Sequence, residues 1–318
     1  MRTCWFMVVA ILIAVTSTVT PVIATDVSGT ISTTTWTKAD TPYRVTGSLE
    51  VPSGEVLTIE AGVEVVFDTN TELIVRGALY ADGTEEDGIV LRGASWLGVL
   101  LDYAESSRMS HCRLTGVARY FTRRAPIEFR GGGLTVLGSN LMLTNSTIEH
   151  NKIETDIQYV YSAPRRFWYA RGGGMHLADG AVVTMDRCVI RGNRAEGGGS
   201  SVSSIGDLPS PYNFYNLGEG GGVYVGEDAT LVGQNCQFID NEVVGSGSAV
   251  GGTGVILSNC TITGNSSLRY DNEPWFDNAI VGDVLPWNSI TLRNCIVWGN
   301  PADSPGGSPR EQKNLGLP

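Results

Sequence analysis

The segment LRNCIVWGN, residues 292–300, decides the fold, because its pattern occurs six times in the chain. A small residue, usually cysteine, stands near the middle of each copy, and most copies end in asparagine. Self-similarity of this kind is typical of solenoids, since one unit cannot bury its own apolar edge and must stack on its neighbours. The other five copies are MSHCRLTG (109–116), LTNSTIEHN (143–151), MDRCVIRGN (185–193), GQNCQFIDN (233–241) and LSNCTITGN (257–265).

The cysteine position lies between two short strands in this interpretation. Apolar residues recur five and three positions before it and two positions after it, which is the alternation of a strand with one buried face. Five cysteines beyond the N-terminal segment would otherwise suggest a disulfide framework. Because they occupy one repeat position, we expect a column of small buried side chains without bridges or metal. Its members are Cys112, Ser146, Cys188, Cys236, Cys260 and Cys295.

An asparagine follows this position by five residues in most copies. Asparagine tolerates a left-handed backbone and can hydrogen-bond a turn, so we expect it to end the second strand in that conformation. These residues complete the predicted structural ladder: Asn151, Asn193, Asn241, Asn265 and Asn300.

Glycine triplets at 131–133, 172–174 and 220–222 repeat in the same frame and precede short apolar strands. The predicted unit is therefore a glycine turn, a strand, a bend, a second strand and an asparagine turn. Stacking of such units would place Glu149 beside Arg191. It would also form one solvent-facing column from Thr135, His176 and Tyr224.

The combination of GGG, an apolar strand and a segment such as FIDN (238–241) resembles the repeat of polymorphic outer-membrane proteins. It also resembles the wider right-handed parallel β-helix, or pectin-lyase-like, superfamily, and residues 46–100 resemble the N-terminal coils of its secreted bacterial members. The resemblance implies an all-β, right-handed parallel β-helix solenoid of about eight coils, with long loops inserted on one side. It does not imply one function, because that superfamily includes lyases, hydrolases, adhesins and structural fibres.

Four segments are expected along the chain. Residues 1–24 have the positive start, short apolar run and small-residue end of a signal peptide. Residues 25–45 form a lead-in or cap, 46–300 the β-helix, and 301–318 a flexible tail through which a further module or surface partner could attach. The mature chain should have no transmembrane segment and should be secreted or located at the cell surface. In a Gram-negative bacterium it would be periplasmic or associated with the outer membrane.

Composition limits the partners. The formal net charge is −11, and only 22 residues are Lys or Arg against 33 Asp or Glu. A nucleic-acid partner is therefore not expected, because its phosphates require a basic surface.

The insertions at 118–130, 152–171, 195–219 and 266–288 hold most of the aromatic residues after the first hundred, together with several arginines. Loops on a rigid scaffold often carry function. The rings could pack on each other and cover the helix, or they could stack on sugars while arginines bind acidic groups. The second possibility predicts a site for extracellular polysaccharide or a cell-surface glycan. Its candidate residues are Arg123, Arg124, Arg165, Arg166, Trp168, Tyr169, Tyr215 and Trp275.

Two alternatives remain open. A glycoside hydrolase would need two suitably spaced carboxyl groups, and a polysaccharide lyase would need a basic residue with calcium-binding carboxylates. The catalytic candidates are Asp156, Arg165, Arg166, Asp271 and Asp277. We expect no metal or other cofactor unless the protein is a lyase, in which case calcium is possible. The second alternative is a surface adhesin or structural scaffold that binds no glycan.

Overall fold

The computed structural model describes residues 24–121, 131–155, 168–197, 216–268, 280–281 and 290–300. The strand pairs in these ranges are parallel. Before the first gap lie a short 3₁₀ helix, Lys38–Asp40, and strands β1 (Thr25–Thr30), β2 (Thr34–Trp36), β3 (Tyr43–Val51), β4 (Val56–Glu60), β5 (Glu64–Phe67), β6 (Leu73–Val75), β7 (Ala78–Asp82), β8 (Ile89–Trp96), β9 (Val99–Asp102), β10 (Ser107–Ser110) and β11 (Cys112–Phe121).

The repeat region continues the same arrangement. Its strands are β12 (Leu134–Leu137), β13 (Asn140–Thr144), β14 (Thr147–Glu149), β15 (Lys152–Thr155), β16 (Trp168–Arg171), β17 (Met175–Ala178), β18 (Val182–Asp186), β19 (Val189–Arg191), β20 (Arg194–Gly197), β21 (Asn216–Glu219), β22 (Val223–Val225), β23 (Thr230–Gln234), β24 (Gln237–Ile239), β25 (Glu242–Ser246), β26 (Val250–Gly252), β27 (Val255–Ser258), β28 (Thr261–Thr263), β29 (Ser266–Leu268), β30 (Ile280–Val281), β31 (Ile290–Arg293) and β32 (Ile296–Trp298).

Three parallel walls enclose the core. Wall 1 contains nine strands, β2, β4, β7, β10, β13, β18, β23, β27 and β31. Wall 2 follows it in the chain and contains the first half of β3, then β5, β8, the first half of β11, β14, β19, β24, β28 and β32. Wall 3 completes each turn with the second half of β3, then β6, β9, β12, β17, β22, β26 and β30.

The alternation predicted from the repeat is confirmed in wall 1. Leu141 and Leu143 face the core, and the residue between them, Met142, is exposed. Register keeps this pattern through the stack, because Leu141 pairs with Val183 and the next strand continues with Leu231. The walls therefore share one continuous apolar core.

Two further parallel sheets stand where the sequence predicted only loops. The first stem sheet contains the second half of β11, then β15, β20, β25 and β29. The second stem sheet contains β16, β21 and the end of β25. The described parts of the insertions at 152–171 and 195–219 thus leave wall 2 along the first stem sheet and return to wall 3 along the second, so regular strands extend into both predicted insertions.

The asparagines form a buried column inside the corner between wall 2 and the first stem sheet. The backbone N–H and the side-chain amide of Asn193 both donate to Oδ1 of Asn241, at 3.1 and 3.0 Å, and the amide also donates to the Ile148 carbonyl oxygen at 2.9 Å. The same bonds recur from Asn151 to Asn300.

The prediction of a left-handed backbone at these asparagines is wrong, because the left-handed residue is the one before each of them. His150 and Asp240 both have φ of 53°, and the same position is often glycine, as at Gly192. The preceding residue turns the corner, and the turn directs the asparagine side chain inward, where its amide can bond to the rungs on either side.

The cysteine column lies inside the previous corner. Its members down to Cys260 are buried, and Cys295 in the last rung is partly exposed. The Cys112 backbone N–H donates to Ser146 Oγ at 3.0 Å, and the Cys236 N–H donates to Cys260 Sγ at 3.4 Å. Burial raises the pKa of the Cys112 thiol to about 12, so this thiol stays protonated and unreactive.

The glycine triplets allow the asparagine column to fit. Gly172 has φ of 67°, which reverses the chain between the second stem sheet and wall 3. A Cβ on Gly174 would lie 2.9 Å from Nδ2 of Asn193, so a larger residue would displace the buried amide. The two sequence signals therefore belong to one packing unit.

Candidate functional site

The structure describes only part of the predicted ligand-binding side. Trp168 and Tyr169 begin β16, but only their backbone is described. The other ligand-binding and catalytic candidates lie outside the described residues: Arg123, Arg124, Asp156, Arg165, Arg166, Tyr215, Asp271, Trp275 and Asp277.

The bases of the insertions are rigid because the two stem sheets enclose a second, small core. Ile153, Ala195 and Val243 face inward from the first stem sheet, and Ala170 faces them from the second. All four are fully buried. Side chains on the outer face of the first stem sheet are therefore held on a supported surface.

A buried ion pair closes the N-terminal end of this second core. Arg119 pairs in register with Ile153, so it occupies the position of an apolar core residue. Its guanidinium bonds to Glu72, and both residues are at most 7% exposed. The Arg119–Glu72 pair thus fills the space that an apolar side chain of a further rung would otherwise occupy.

The outer face of the first stem sheet combines an exposed aromatic ring with a network of charges. Tyr120 is 54% exposed and pairs in register with Glu154 on the next strand, followed by Glu196. Lys152 Nζ lies 2.6 Å from Glu154 Oε2 and 3.1 Å from Glu196 Oε2. Arg194 extends the network by binding Glu196 and the next rung. We call this surface the stem face: Tyr120, Lys152, Glu154, Arg194, Glu196 and Glu242.

The charged side chains of the stem face neutralise one another. Burial lowers the pKa of Lys152, but its bonds to Glu154 and Glu196 outweigh that effect, and the net pKa lies above the ordinary lysine value. The ammonium therefore remains charged between two carboxylates. The three charged groups hold one another in place and offer hydrogen-bond donors and acceptors to a ligand.

Wall 3 carries the predicted column of Thr135, His176 and Tyr224, and the register confirms it. The prediction that this column faces solvent is wrong, because none of the three side chains is more than 7% exposed. Described residues account for part of the burial of this column. A Cβ on Gly131 would lie 2.5 Å from the Cβ of His176, and the Arg171 guanidinium lies 4.5 Å from the centre of the Tyr224 ring.

The charges at this cover are also paired. Arg171 Nε lies 2.7 Å from Glu219 Oε2 on the neighbouring strand, and the edge of the His176 ring meets the Tyr224 ring at a centroid distance of 5.4 Å. The junction of the second stem sheet with wall 3 is therefore a packed, charge-compensated corner.

Wall 2 contains the other predicted pair. Glu149 does lie beside Arg191, and Arg113 binds it from the other side, so one fully buried carboxylate joins three rungs. Burial raises the pKa of Glu149, but the bonds and charges of Arg191 and Arg113 outweigh burial and leave this pKa below the ordinary glutamate value.

Sequence reasoning missed most of the stem face. The signal was present after the asparagine position, where NKIET (151–155) and NRAEG (193–197) continue with polar and apolar residues in alternation. These segments were assigned to insertions because their length beyond this point differs from copy to copy. Comparison of only the first four residues after each asparagine would have revealed another strand.

Within the described ranges, no three His, Cys, Asp or Glu side chains converge as a metal site requires. Among the same residues, no helix has the length and apolar character needed to cross a membrane.

Comparison with known proteins agrees with this geometry. The family model described as the right handed beta helix region matches residues 49–308, so the chain belongs to the right-handed β-helix family, and the predicted fold class is confirmed. The protein is also similar to Protein bark beetle of Drosophila melanogaster, with 41% identity over 56 residues. That match covers 18% of this chain and only 2% of the relative. No solved structure matches the chain.

Proposed function

We propose that this protein is exported and binds an extracellular polysaccharide through the side of the helix that bears the insertions. The exposed Tyr120 ring beside the paired charges of the stem face carries the proposal. In the sequence, the insertions that begin with the stem-face strands also contain aromatic and arginine residues.

The chemistry of the stem face suits a sugar polymer. A tyrosine ring offers an apolar face with a polar tip, and charged side chains form stronger hydrogen bonds than neutral ones. Neighbouring strands repeat about every 4.8 Å, so donors and acceptors recur along the helix axis, as the hydroxyl groups of a polymer do. The supported sheet limits the entropy lost on binding.

Affinity electrophoresis tests the proposal directly. The purified chain is run through gels cast with neutral or acidic polysaccharides, which are afterwards stained for polymer. Retardation without clearing supports binding. We expect Tyr120→Ala to weaken the apparent affinity about tenfold, which corresponds to about 1.4 kcal/mol. Unchanged mobility in every gel would contradict the proposal and favour a protein-binding adhesin or a scaffold.

Tyr103→Ala is the matched control. Tyr103 is 66% exposed but follows β9 and lies away from the stem face, so its loss should leave retardation unchanged. Both variants should keep the thermal transition of the parent chain. Equal weakening by both substitutions would show that the stem face has no specific part in binding.

Catalysis is the second outcome that the gels detect. Glu154 and Glu196 are in register on adjacent strands, and paired carboxyl groups are what glycoside hydrolysis requires. A cleared track that disappears in Glu154→Gln would make the protein a hydrolase. Clearing that requires added calcium would instead indicate a lyase.

A further inference from the structure

The outer face of wall 2 carries a group of charges that lies outside the stem face. Glu149 is fully buried at its centre, and Arg113 and Arg191 bond to it from the rungs on either side. Arg113 Nε donates to Oε1, and Arg191 Nε donates to Oε2 at 2.5 Å. Two cationic groups thus share one carboxylate, which leaves an excess of one positive charge. We call this group the arginine clamp: Arg113, Glu149 and Arg191.

The arginine clamp differs from the ion pairs on the other walls. Arg108 uses Nε and Nη2 on one carboxylate, that of Asp82, and Arg44 binds Asp68 with the same two atoms. Arg76 lies between two carboxylates. Each of these arginines is therefore balanced by at least one acidic group of its own. Among ion pairs between described residues, the arginine clamp alone has two arginines on one carboxylate.

Both arginines of the clamp keep hydrogen-bond donors for a ligand. Their side chains are 54% and 51% exposed. Each bonds to Glu149 through Nε, so within the described part of the chain Nη1 and Nη2 donate to no protein acceptor. These two nitrogens carry four of the five N–H donors of an arginine. The buried carboxylate also holds both guanidinium groups in place, which limits the entropy lost when they bind.

The neighbouring side chains on wall 2 add no negative charge. His150 Nε2 lies 4.0 Å from Glu149 Oε2 and adds positive charge when it is protonated. The clamp therefore has the opposite sign to the chain as a whole, whose formal net charge is −11. On the strands from the first half of β11 to β24, the other described outward-facing residues are Thr115, Thr147, Val189, Gln237 and Ile239.

The arginine clamp adjoins the stem face around one corner. β11 runs from wall 2 into the first stem sheet and carries both Arg113 and Tyr120. Both side chains face outward, and the seven residue steps between them span at most about 23 Å of extended strand. On the next rung, Glu149 and Lys152 stand before and after Asn151. A polymer that crosses this corner can contact both surfaces.

We propose that the arginine clamp binds a sulfate ester of a polysaccharide. A sulfate ester presents three oxygens around one sulfur, so both guanidinium groups can donate to it at once. A carboxylate has only two oxygens, which match the fork of a single arginine. The inference rests on the proposed function, because it names the chemical class of the polymer that the adjoining stem face binds.

Affinity electrophoresis with dextran, dextran sulfate and carboxymethyl dextran tests the proposal, because the three polymers share one backbone. We expect dextran sulfate to retard the purified chain most strongly and the retardation to decrease as salt is added. Arg191→Gln removes one guanidinium group and should weaken the apparent affinity for dextran sulfate about tenfold, which corresponds to about 1.4 kcal/mol. Glu149→Gln should bind at least as tightly as the parent chain, because the excess rises to two positive charges.

Arg108→Gln is the matched control. The Arg108 side chain is 45% exposed, and its substitution changes the net charge by the same amount as Arg191→Gln. Arg108 lies on wall 1, however, and its fork is occupied by Asp82. Its loss should therefore leave the affinity for dextran sulfate unchanged. Arg191→Lys provides a second variant that keeps the charge beside Glu149, and it should still weaken binding because an ammonium group has no fork.

Three results would overturn the proposal. Dextran sulfate could fail to retard the parent chain, carboxymethyl dextran of equal charge density could retard it as strongly, or Arg191→Gln and Arg108→Gln could weaken binding equally. The proposed function fails in a different way. Retardation by dextran sulfate that depends on Arg191 but not on Tyr120 supports the clamp and contradicts the stem face. Retardation by neutral polysaccharides that depends on Tyr120, without any by dextran sulfate, keeps the stem face and rejects the clamp.

Discussion

Two stacks of residues run along the corner between wall 2 and the first stem sheet, one inside the protein and one on its outer face. The inner stack repeats one residue type, whereas the outer stack does not. Inside, Asn151 to Asn300 repeat the same residue in five rungs, and each amide before Asn300 bonds to the rungs on either side. Outside, two residues earlier in each rung, the column reads Thr115, Glu149, Arg191, Ile239, Thr263 and Trp298. A buried polar group must find its partner inside the protein, whereas the outer residues other than Glu149 are at least partly exposed and can use water. The interior therefore repeats and the exterior varies.

The largest expected effect comes from breaking the inner stack. Asn193→Ala removes an amide that accepts two bonds from Asn151 and donates to Ile148 and Asn241. Several buried groups lose their partners, at about 1–3 kcal/mol each, so we expect a loss on the order of 5 kcal/mol in the free energy of unfolding. Urea denaturation measures it.

Asn140→Ala is the control for this substitution. Asn140 is exposed on wall 1, so its loss should change stability by less than about 0.5 kcal/mol. Equal losses of stability in Asn193→Ala and Asn140→Ala would contradict the idea that a buried asparagine of the inner stack contributes more to stability than an exposed one.

The second-largest effect concerns the buried ion pair between Arg119 and Glu72. Arg119→Met removes the positive charge beside the buried carboxylate of Glu72, and the expected loss in the free energy of unfolding is about 3–4 kcal/mol. The double variant Arg119→Met/Glu72→Leu removes both charges and should recover most of this loss. Thermal unfolding of the single and double variants decides the matter, since additive losses would mean that the pair makes no coupled contribution.

The difference between inside and outside also explains what could be predicted from the sequence. The slots of Cys188 and Asn193 recur because the core allows little else, so the repeat, the strand alternation and the fold class could be recognised. The direction of Asn193 could not, because the turn is made by Gly192, whose position is filled by histidine or aspartate in other rungs. The stem face was missed because Lys152 and Glu154 begin a segment whose length differs from copy to copy, which hides the alternation that it shares with the next rung.

A smaller effect concerns the cysteine column, where one rung already has serine. Ser146 Oγ accepts from the Cys112 N–H at 3.0 Å and donates to the Thr144 carbonyl oxygen at 2.7 Å. Ser146→Ala should cost about 1–2 kcal/mol, because the buried Cys112 N–H loses its acceptor. Ser146→Cys should cost less than about 1 kcal/mol. If alanine is tolerated as well as cysteine, the column is held by size alone.

The smallest effect belongs to the outer stack and depends on pH. Arg191 and Arg113 keep the pKa of Glu149 below its ordinary value despite burial. A carboxyl group with a lower pKa in the folded state stabilises the fold above its unfolded pKa, and this contribution disappears as the pH falls through the folded pKa. Between about pH 6 and pH 3, the parent chain should therefore lose more stability than Glu149→Gln, which should cost about 1 kcal/mol at pH 7. Melting temperatures of both proteins across this range provide the measurement. Parallel curves would mean that the two arginines do not stabilise the fold through the charge of Glu149.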